Sequence, residues 1–173
     1  MAAPLTLDAV NRMGPDDLRQ ALGGVFESSP WVAERVGVAG PFASVERLHA
    51  AMTAVVREAP LQHQLALLRA HPDLAGRAAR AGEMSATSVA EQSSAGLDRL
   101  SDAEYERFAR LNAAYVGKFG FPFIIAVRKH DKAGILAAFE TRLGNAVEQE
   151  VEAALVQVFE ITRLRLDGLI RPR

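Results

Sequence analysis

The sequence predicts an all-α fold, a single compact domain of about eight helices, and three observations indicate it. Apolar residues recur at three- and four-residue spacing, as in Val45, Leu48, Met52 and Val55. Helix start and stop signals separate these periodic segments. Only residues 119–127 combine β-branched and aromatic side chains with internal Gly and Pro, which is typical of extended backbone. One extended segment among so many helices argues against an alternating α/β fold.

Proline and glycine positions delimit the helices of the N-terminal half. Pro15, Pro30 and Pro60 lie where helices are expected to begin, because proline suits the first helical turn. Pro72 disfavours helical backbone at His71, which should therefore end the fourth helix. The predicted ranges are 16–26, 29–36, 44–58 and 60–71, followed by a short helix over 73–82.

Polar residues with capping side chains delimit the helices of the C-terminal half. Ser101 and Glu104 have the spacing of a capping box before a long helix. Asp131 can cap a helix that ends at Leu143, and Asn145 can cap the last helix. The predicted ranges are 88–97, a long helix after 101, 131–143 and 146–169.

Composition excludes several classes of protein. The 173 residues are 49% hydrophobic and 24% charged, as in a globular domain. The net charge is −1, with acids and bases interspersed, so no nucleic-acid-binding face is expected. Cysteine is absent, which excludes disulfides and thiolate catalysis and suits a reducing compartment. With no recognisable secretory leader, membrane span or peroxisomal signal, we expect a cytoplasmic protein that binds no membrane.

His71 is the first candidate for chemistry. It closes a predicted helix, and the partial negative charge of a helix C-terminus favours imidazolium, so the ring could hold and deliver a proton near neutral pH. The alternative is a histidine that only hydrogen-bonds the last carbonyl groups of the helix. His49, His63 and His130 show no metal-ligand spacing with carboxylates, so no metal site is predicted.

Ser88, Glu91 and Gln92 form a second candidate, because these positions share one face of a helix. A hydroxyl, a carboxylate and an amide would converge there and could bind a ureido or carboxylate substrate. The alternative is structural, since Ser-x-x-Glu is also the pattern of a capping box.

The extended segment and Arg165 are further candidates. Backbone N–H and C=O groups in 119–127 need partners, which a polar ligand or packed side chains and turns could supply. Arg165 falls within the apolar stripe of the last helix, and an inward guanidinium needs an anion. That anion could be a protein carboxylate or a substrate carboxylate.

Taken together, these motifs resemble the 2-oxo-4-hydroxy-4-carboxy-5-ureidoimidazoline (OHCU) decarboxylases, which act in urate degradation. The resemblance covers nearly the whole chain and rests on five motifs in the family's order. They are His71-Pro-Asp-Leu74, Ser88-x-x-Glu-Gln92, Leu111-Asn-x-x-Tyr115, Lys118-Phe-Gly-Phe-Pro-Phe-Ile-Ile125 and Leu164-Arg-Leu166.

The resemblance implies a homodimer with no metal or organic cofactor that converts the ureidoimidazoline to (S)-allantoin. It implies that His71 is the catalytic acid/base and that Glu91 is its partner. The residues it implies for substrate binding are Pro72, Ser88, Gln92, Phe123, Ile124, Ile125, Ala126, Val127 and Arg165. Two alternatives remain: a helical interaction module, and an enzyme of the same scaffold that acts on another ureido or imidazoline compound.

Overall fold

The computed structural model describes residues 4–76 and 82–171, and within these ranges it contains nine α-helices and no β-strand. The predicted all-α fold class is therefore confirmed. By internal contacts the chain divides into two compact units. The first unit comprises residues 1–70 and 159–173, and the second comprises 71–158.

The first unit contains five helices in its N-terminal part. They are α1 (Leu7–Val10), α2 (Pro15–Leu22), α3 (Trp31–Val36), α4 (Val45–Glu58) and α5 (Leu61–Arg69). The short α1, capped by the hydroxyl of Thr6, was not predicted. Helix α2 ends at Leu22 rather than at residue 26, because Gly23 and Gly24 have low helix propensity.

The core of the first unit is aliphatic. Helix α3 does not break at Gly37 as predicted but continues into a 3₁₀ turn, Gly37–Ala39. The spacing of the sequence predicts Leu61, Leu65 and Leu68 on one face of α5. Leu68 is buried as predicted and Leu67 is buried beside it, whereas Leu61 is exposed. The fully buried side chains of this unit include Leu18, Leu22, Phe26, Leu48, Met52, Leu67 and Leu68.

The second unit contains α6 (Ala86–Ser94), α7 (Asp102–Phe119), α8 (Lys132–Leu143) and the first half of α9 (Val147–Leu169). The predicted capping box is confirmed: the Ser101 hydroxyl accepts the Glu104 N–H at 3.2 Å, and the Glu104 carboxylate accepts the Ser101 N–H at 2.9 Å. Asp131 caps α8 as predicted. Asn145 is not the N-cap of α9, because the helix begins at Val147; its Nδ2 instead donates to Oε2 of Glu150 at 2.9 Å.

Aromatic rings fill the core of the second unit around Tyr115. Phe123 and Phe139 stack with their ring centroids 3.9 Å apart, and Tyr115 meets both edge-on. Phe119 ends α7, and Gly120 follows in the left-handed conformation (φ +77°), which glycine adopts without steric cost. The chain then runs without helix from 121 to 126, and a 3₁₀ turn, Val127–Lys129, follows. The segment predicted as extended, 119–127, is therefore non-helical from 120 to 126, whereas Phe119 belongs to α7 and Val127 to the 3₁₀ turn.

Candidate active site

His71 stands at the start of a loop, 71–76, rather than at the end of a helix. Helix α5 ends at Arg69 with Ala70 as its C-cap, two residues before the predicted end. His71 is 7% exposed, so its ring is buried. The predicted helix over 73–82 is wrong for 73–76, which are not helical, and residues 77–81 lie outside the described ranges. A buried imidazole next to Pro72 is the first element of the candidate site.

The carboxamide of Gln92 holds this loop. Its Oε1 accepts the N–H of Ala75 at 2.9 Å, and its Nε2 donates to the carbonyl of Asp73 at 3.1 Å. Ala75 has φ +51°, a conformation that costs a non-glycine residue about 1–2 kcal/mol. The hydrogen bond from Ala75 helps to offset that cost, so Gln92 has a structural function in shaping the loop.

Asn112 of α7 fastens the same loop from a second helix. Its Nδ2 donates to the carbonyl of Leu74 at 2.9 Å, and the side chain is 6% exposed. Together, Asn112 and Gln92 bind backbone groups of three consecutive loop residues. The Asp73 carboxyl in this loop has a raised pKa because burial disfavours its charged form.

The predicted polar face of α6 is present and buried. Ser88, Glu91 and Gln92 are 3%, 9% and 5% exposed. The capping-box alternative for Ser88 and Glu91 is wrong, because the helix begins at Ala86 and its N-cap is Ser85. The Ser85 hydroxyl accepts the Ser88 N–H at 3.2 Å, which leaves Ser88 inside the first turn with its own Oγ 3.0 Å from that hydroxyl. Glu91 is therefore a buried carboxylate that does not cap its helix.

Side chains from distant positions bind the backbone of the extended segment. Nη1 of Arg142 donates to the carbonyl of Ile124 at 2.6 Å, and Oε1 of Gln157 accepts the N–H of Ala126 at 3.0 Å. Within residues 4–76 and 82–171, no group accepts the N–H of Ile125 or of Val127. Packed side chains therefore satisfy part of the segment, and two donors next to Ala126 have no protein acceptor in the described chain.

Arg142 belongs to a buried network of charged and polar side chains with Glu150 and Tyr115. Nε of Arg142 donates to Oε1 of Glu150 at 2.6 Å, and the Tyr115 hydroxyl donates to the same oxygen at 2.5 Å. The guanidinium also stacks 4.4 Å from the ring centroid of Phe123. Burial, and then the hydrogen bond to Glu150, raise the pKa of the Tyr115 hydroxyl. Sequence reasoning missed Glu150, although its position four residues before buried Ala154 was a usable signal.

Arg165 belongs to the first unit, whereas the residues above belong to the second. It is 9% exposed, as its place in the apolar stripe predicted, although Val147 at the start of that stripe is exposed. Its Nη1 lies 3.0 Å from a carboxylate oxygen of Glu27 and 3.2 Å from the carbonyl of Val25. Glu27 thus supplies the protein anion that the sequence left open. Contact of this guanidinium with substrate stays a prediction.

The described residues contain no group of three His, Asp or Glu side chains able to hold a metal ion. In the same part of the chain, every helix is too short or too polar to cross a membrane.

The chain is similar in sequence to a known protein family. Residues 11–167 match the family described as OHCU decarboxylase. The 2-oxo-4-hydroxy-4-carboxy-5-ureidoimidazoline decarboxylase of Haloferax volcanii is 47% identical over 162 residues, which cover 94% of this chain and 94% of that protein. The uric acid degradation bifunctional protein PucL of Bacillus subtilis is 41% identical over 165 residues, which cover 95% of this chain and 33% of that protein.

A solved structure is also similar. The crystal structure described as (S)-allantoin synthase aligns with a TM-score of 0.77 at 35% sequence identity. The alignment covers 96% of this chain and 54% of that one. The similarity therefore extends over both units of the chain.

Proposed function

The chain belongs to the OHCU decarboxylase family, and from that premise we propose that it decarboxylates 2-oxo-4-hydroxy-4-carboxy-5-ureidoimidazoline to (S)-allantoin, a late step of urate degradation. The observation that carries the proposal is the burial of His71 and Glu91, which stand in the family's motifs and belong to the same unit. Imidazole and carboxylate side chains are the groups that most often transfer protons in enzyme active sites.

The reaction needs no bound electron sink, so we propose that it proceeds without metal or organic cofactor. The bond between the ring carbon and its carboxylate breaks, CO₂ leaves, and the electron pair enters the conjugated imidazoline ring. A proton then adds to the neighbouring ring carbon, which bears the ureido group, and the 4-hydroxyl group loses its proton to become a ring carbonyl of allantoin. The protein has to fix the conformation, stabilise the developing charge and protonate one face.

Each of these tasks has a candidate group. His71 donates the proton to one face of the ureido-bearing carbon, and Glu91 orients the 4-hydroxyl group. The N–H groups of Ile125 and Val127 bind a ring carbonyl oxygen, as in an oxyanion hole. Supporting this assignment, the described residues provide these two donors with no acceptor. Pro72 completes the proposed contacts from the loop.

The remaining predicted contacts are Ser88, Gln92, Phe123, Ile124, Ala126 and Arg165. Gln92 acts chiefly by shaping the loop, because its amide is engaged by Ala75 and Asp73. Arg165 would bind ring or ureido oxygens. Tight binding of the departing carboxylate by Arg165 would stabilise the ground state and slow the reaction.

Circular dichroism of the product tests the proposal. The substrate is generated in situ from urate with urate oxidase and hydroxyisourate hydrolase, and the protein is then added. Rapid appearance of (S)-allantoin supports the proposed reaction. Racemic allantoin formed at the uncatalysed rate would reject it and favour the helical interaction module.

Substitution of the two proposed catalytic residues tests their roles. His71→Ala and Glu91→Ala should each lower kcat by about 10²-fold or more, the usual scale for a positioned acid–base group. His63→Ala and Glu83→Ala are matched controls, because both residues are exposed and lie outside the motifs. Turnover near the wild-type rate in either test variant would contradict the assignment.

We further propose that the protein is a cytoplasmic homodimer that binds neither nucleic acid nor membranes. The family resemblance supports the dimer, and the net charge of −1 gives no electrostatic reason to bind polyanions. Sedimentation equilibrium would test the assembly: a mass near 18.7 kDa, that of one chain, would contradict the dimer.

A further inference from the structure

Ala126 is a residue of the extended segment whose backbone N–H and C=O are both hydrogen-bonded. Its N–H donates to Oε1 of Gln157 at 3.0 Å, and its carbonyl accepts the N–H of Lys129 at 2.9 Å. The residues on either side of Ala126 differ from it, because the described chain provides no acceptor for the N–H of Ile125 or of Val127. A residue that is hydrogen-bonded at both backbone groups thus separates two N–H groups that have no acceptor in the described chain.

Only one of the two bonds at Ala126 comes from outside the segment's own turn. The hydrogen bond at the Ala126 carbonyl closes the 3₁₀ turn Val127–Lys129. Because this bond is local, it does not fix the orientation of the segment relative to other helices. The bond from Gln157 spans 31 residues and connects Ala126 to α9. The Gln157 acceptor therefore fixes the direction of the Ala126 N–H, and with it the rotation of the peptide plane between Ile125 and Ala126.

Rotation of that plane matters because donors aimed in advance at a developing charge need no rearrangement during the reaction. If the plane turned, the Ile125 carbonyl would turn with it, and an oxygen could face the position where a donor is needed. The Arg142 bond to the Ile124 carbonyl fixes the preceding peptide but not this one.

We propose that Gln157 is a positioning residue, which fixes the direction of the Ile125 carbonyl between the two backbone donors without touching the substrate itself. This inference rests on the proposed function, because it takes 123–127 as the segment that binds the ring carbonyl. It adds a residue outside all five family motifs, seven residues before the motif Leu164-Arg-Leu166 on the same helix.

The chain offers a matched control on the same helix. Oε1 of Gln149 also accepts one backbone N–H, that of Ala146, at the same distance of 3.0 Å. Gln149→Met and Gln157→Met therefore make the same chemical change and remove one acceptor from one N–H each. Only Gln157 binds the extended segment.

The experiment measures kcat, KM and Tm for wild type, Gln157→Met, Gln157→Glu and Gln149→Met, with (S)-allantoin followed by circular dichroism. Gln157→Met should lower kcat by about 10–10²-fold, the scale expected for a small misplacement of catalytic groups. Gln157→Glu keeps an acceptor oxygen and should recover most of the kcat. Gln149→Met should retain wild-type kcat.

Two results would overturn the inference. One is an active wild type whose Gln157→Met variant keeps kcat within twofold. The other is an equal loss of kcat in Gln149→Met, which would indicate a general structural effect. Racemic product from the wild type would instead reject the proposed function, and the positioning role with it. Amide hydrogen exchange gives a separate readout: Ala126 should exchange faster in Gln157→Met and not in Gln149→Met.

Discussion

Replacement of Glu150 by glutamine should destabilise the second unit strongly. Glu150 is 0% exposed and accepts hydrogen bonds from Tyr115, Arg142 and Asn145 at 2.5, 2.6 and 2.9 Å. Glu150→Gln keeps the volume of the side chain but removes its charge. The Arg142 side chain, which is 13% exposed, then becomes a buried cation without its counter-ion.

The size of the effect follows from that burial. Removing one partner of a buried ion pair costs about 3–5 kcal/mol. For a chain of this length, each kcal/mol lowers Tm by about 2–4 °C, so the Tm should fall by roughly 6–20 °C. Tyr115→Phe removes one donor to the same carboxylate and should cost less, about 1.5–3 kcal/mol.

Urea and thermal unfolding measure these losses. A free energy of unfolding for Glu150→Gln within about 1 kcal/mol of wild type would refute the reasoning, because it would mean that the charge is not needed to balance Arg142. The double variant that combines Arg142→Met with Glu150→Gln should lose less free energy of unfolding than the two single variants lose together, because both substitutions act on one contact.

Three further predictions concern a helix cap and two titrating groups. Ser85→Ala should cost about 0.5–2 kcal/mol, because Ser85 caps α6, whereas Ser88→Ala should mainly raise KM. Burial raises the pKa of Asp73, so its carboxylate opposes folding at neutral pH. Asp73→Asn should therefore raise Tm near pH 7, and the gain should shrink as the pH falls toward about 4, the ordinary aspartate value. The pKa of Tyr115 is also raised, so wild type should lose stability above about pH 10 more steeply than Tyr115→Phe.

Tm series and steady-state kinetics check all three. A larger Tm loss in Ser88→Ala than in Ser85→Ala would contradict the assigned cap. For Asp73, a Tm gain that persists unchanged into acid would show that the effect is not due to its charge. Parallel alkaline unfolding curves for wild type and Tyr115→Phe would contradict the third prediction.

Local signals in the sequence predicted local structure well. The capping box of Ser101 and Glu104 was predictable because both partners lie within one helical turn. The extended segment was predictable because aromatic and β-branched residues alternate with Gly and Pro. The same local logic failed at Ser88, since Ser85 and Ser88 both fit a cap and only the fold selects between them.

Contacts across long sequence separations could not be predicted. Gln92 looked like a ligand contact, but its amide binds Ala75, 17 residues away. The partners of Arg142 and Gln157 in the extended segment are 18 and 31 residues away. Helix periodicity indicates which face is buried but not which backbone group that face meets. The family motifs identified the candidate residues, whereas Arg142 and Gln157, which bind the extended segment, lie outside the motifs.

The distribution of chromophores gives each unit its own optical reporter. Trp31, the single tryptophan, belongs to the first unit, and both tyrosines, Tyr105 and Tyr115, belong to the second. Indole fluorescence therefore follows unfolding of the first unit, and tyrosine absorbance follows the second. Coincident transitions in one denaturant titration indicate that the two units unfold as a single cooperative block, and separated transitions indicate that each unfolds at its own midpoint.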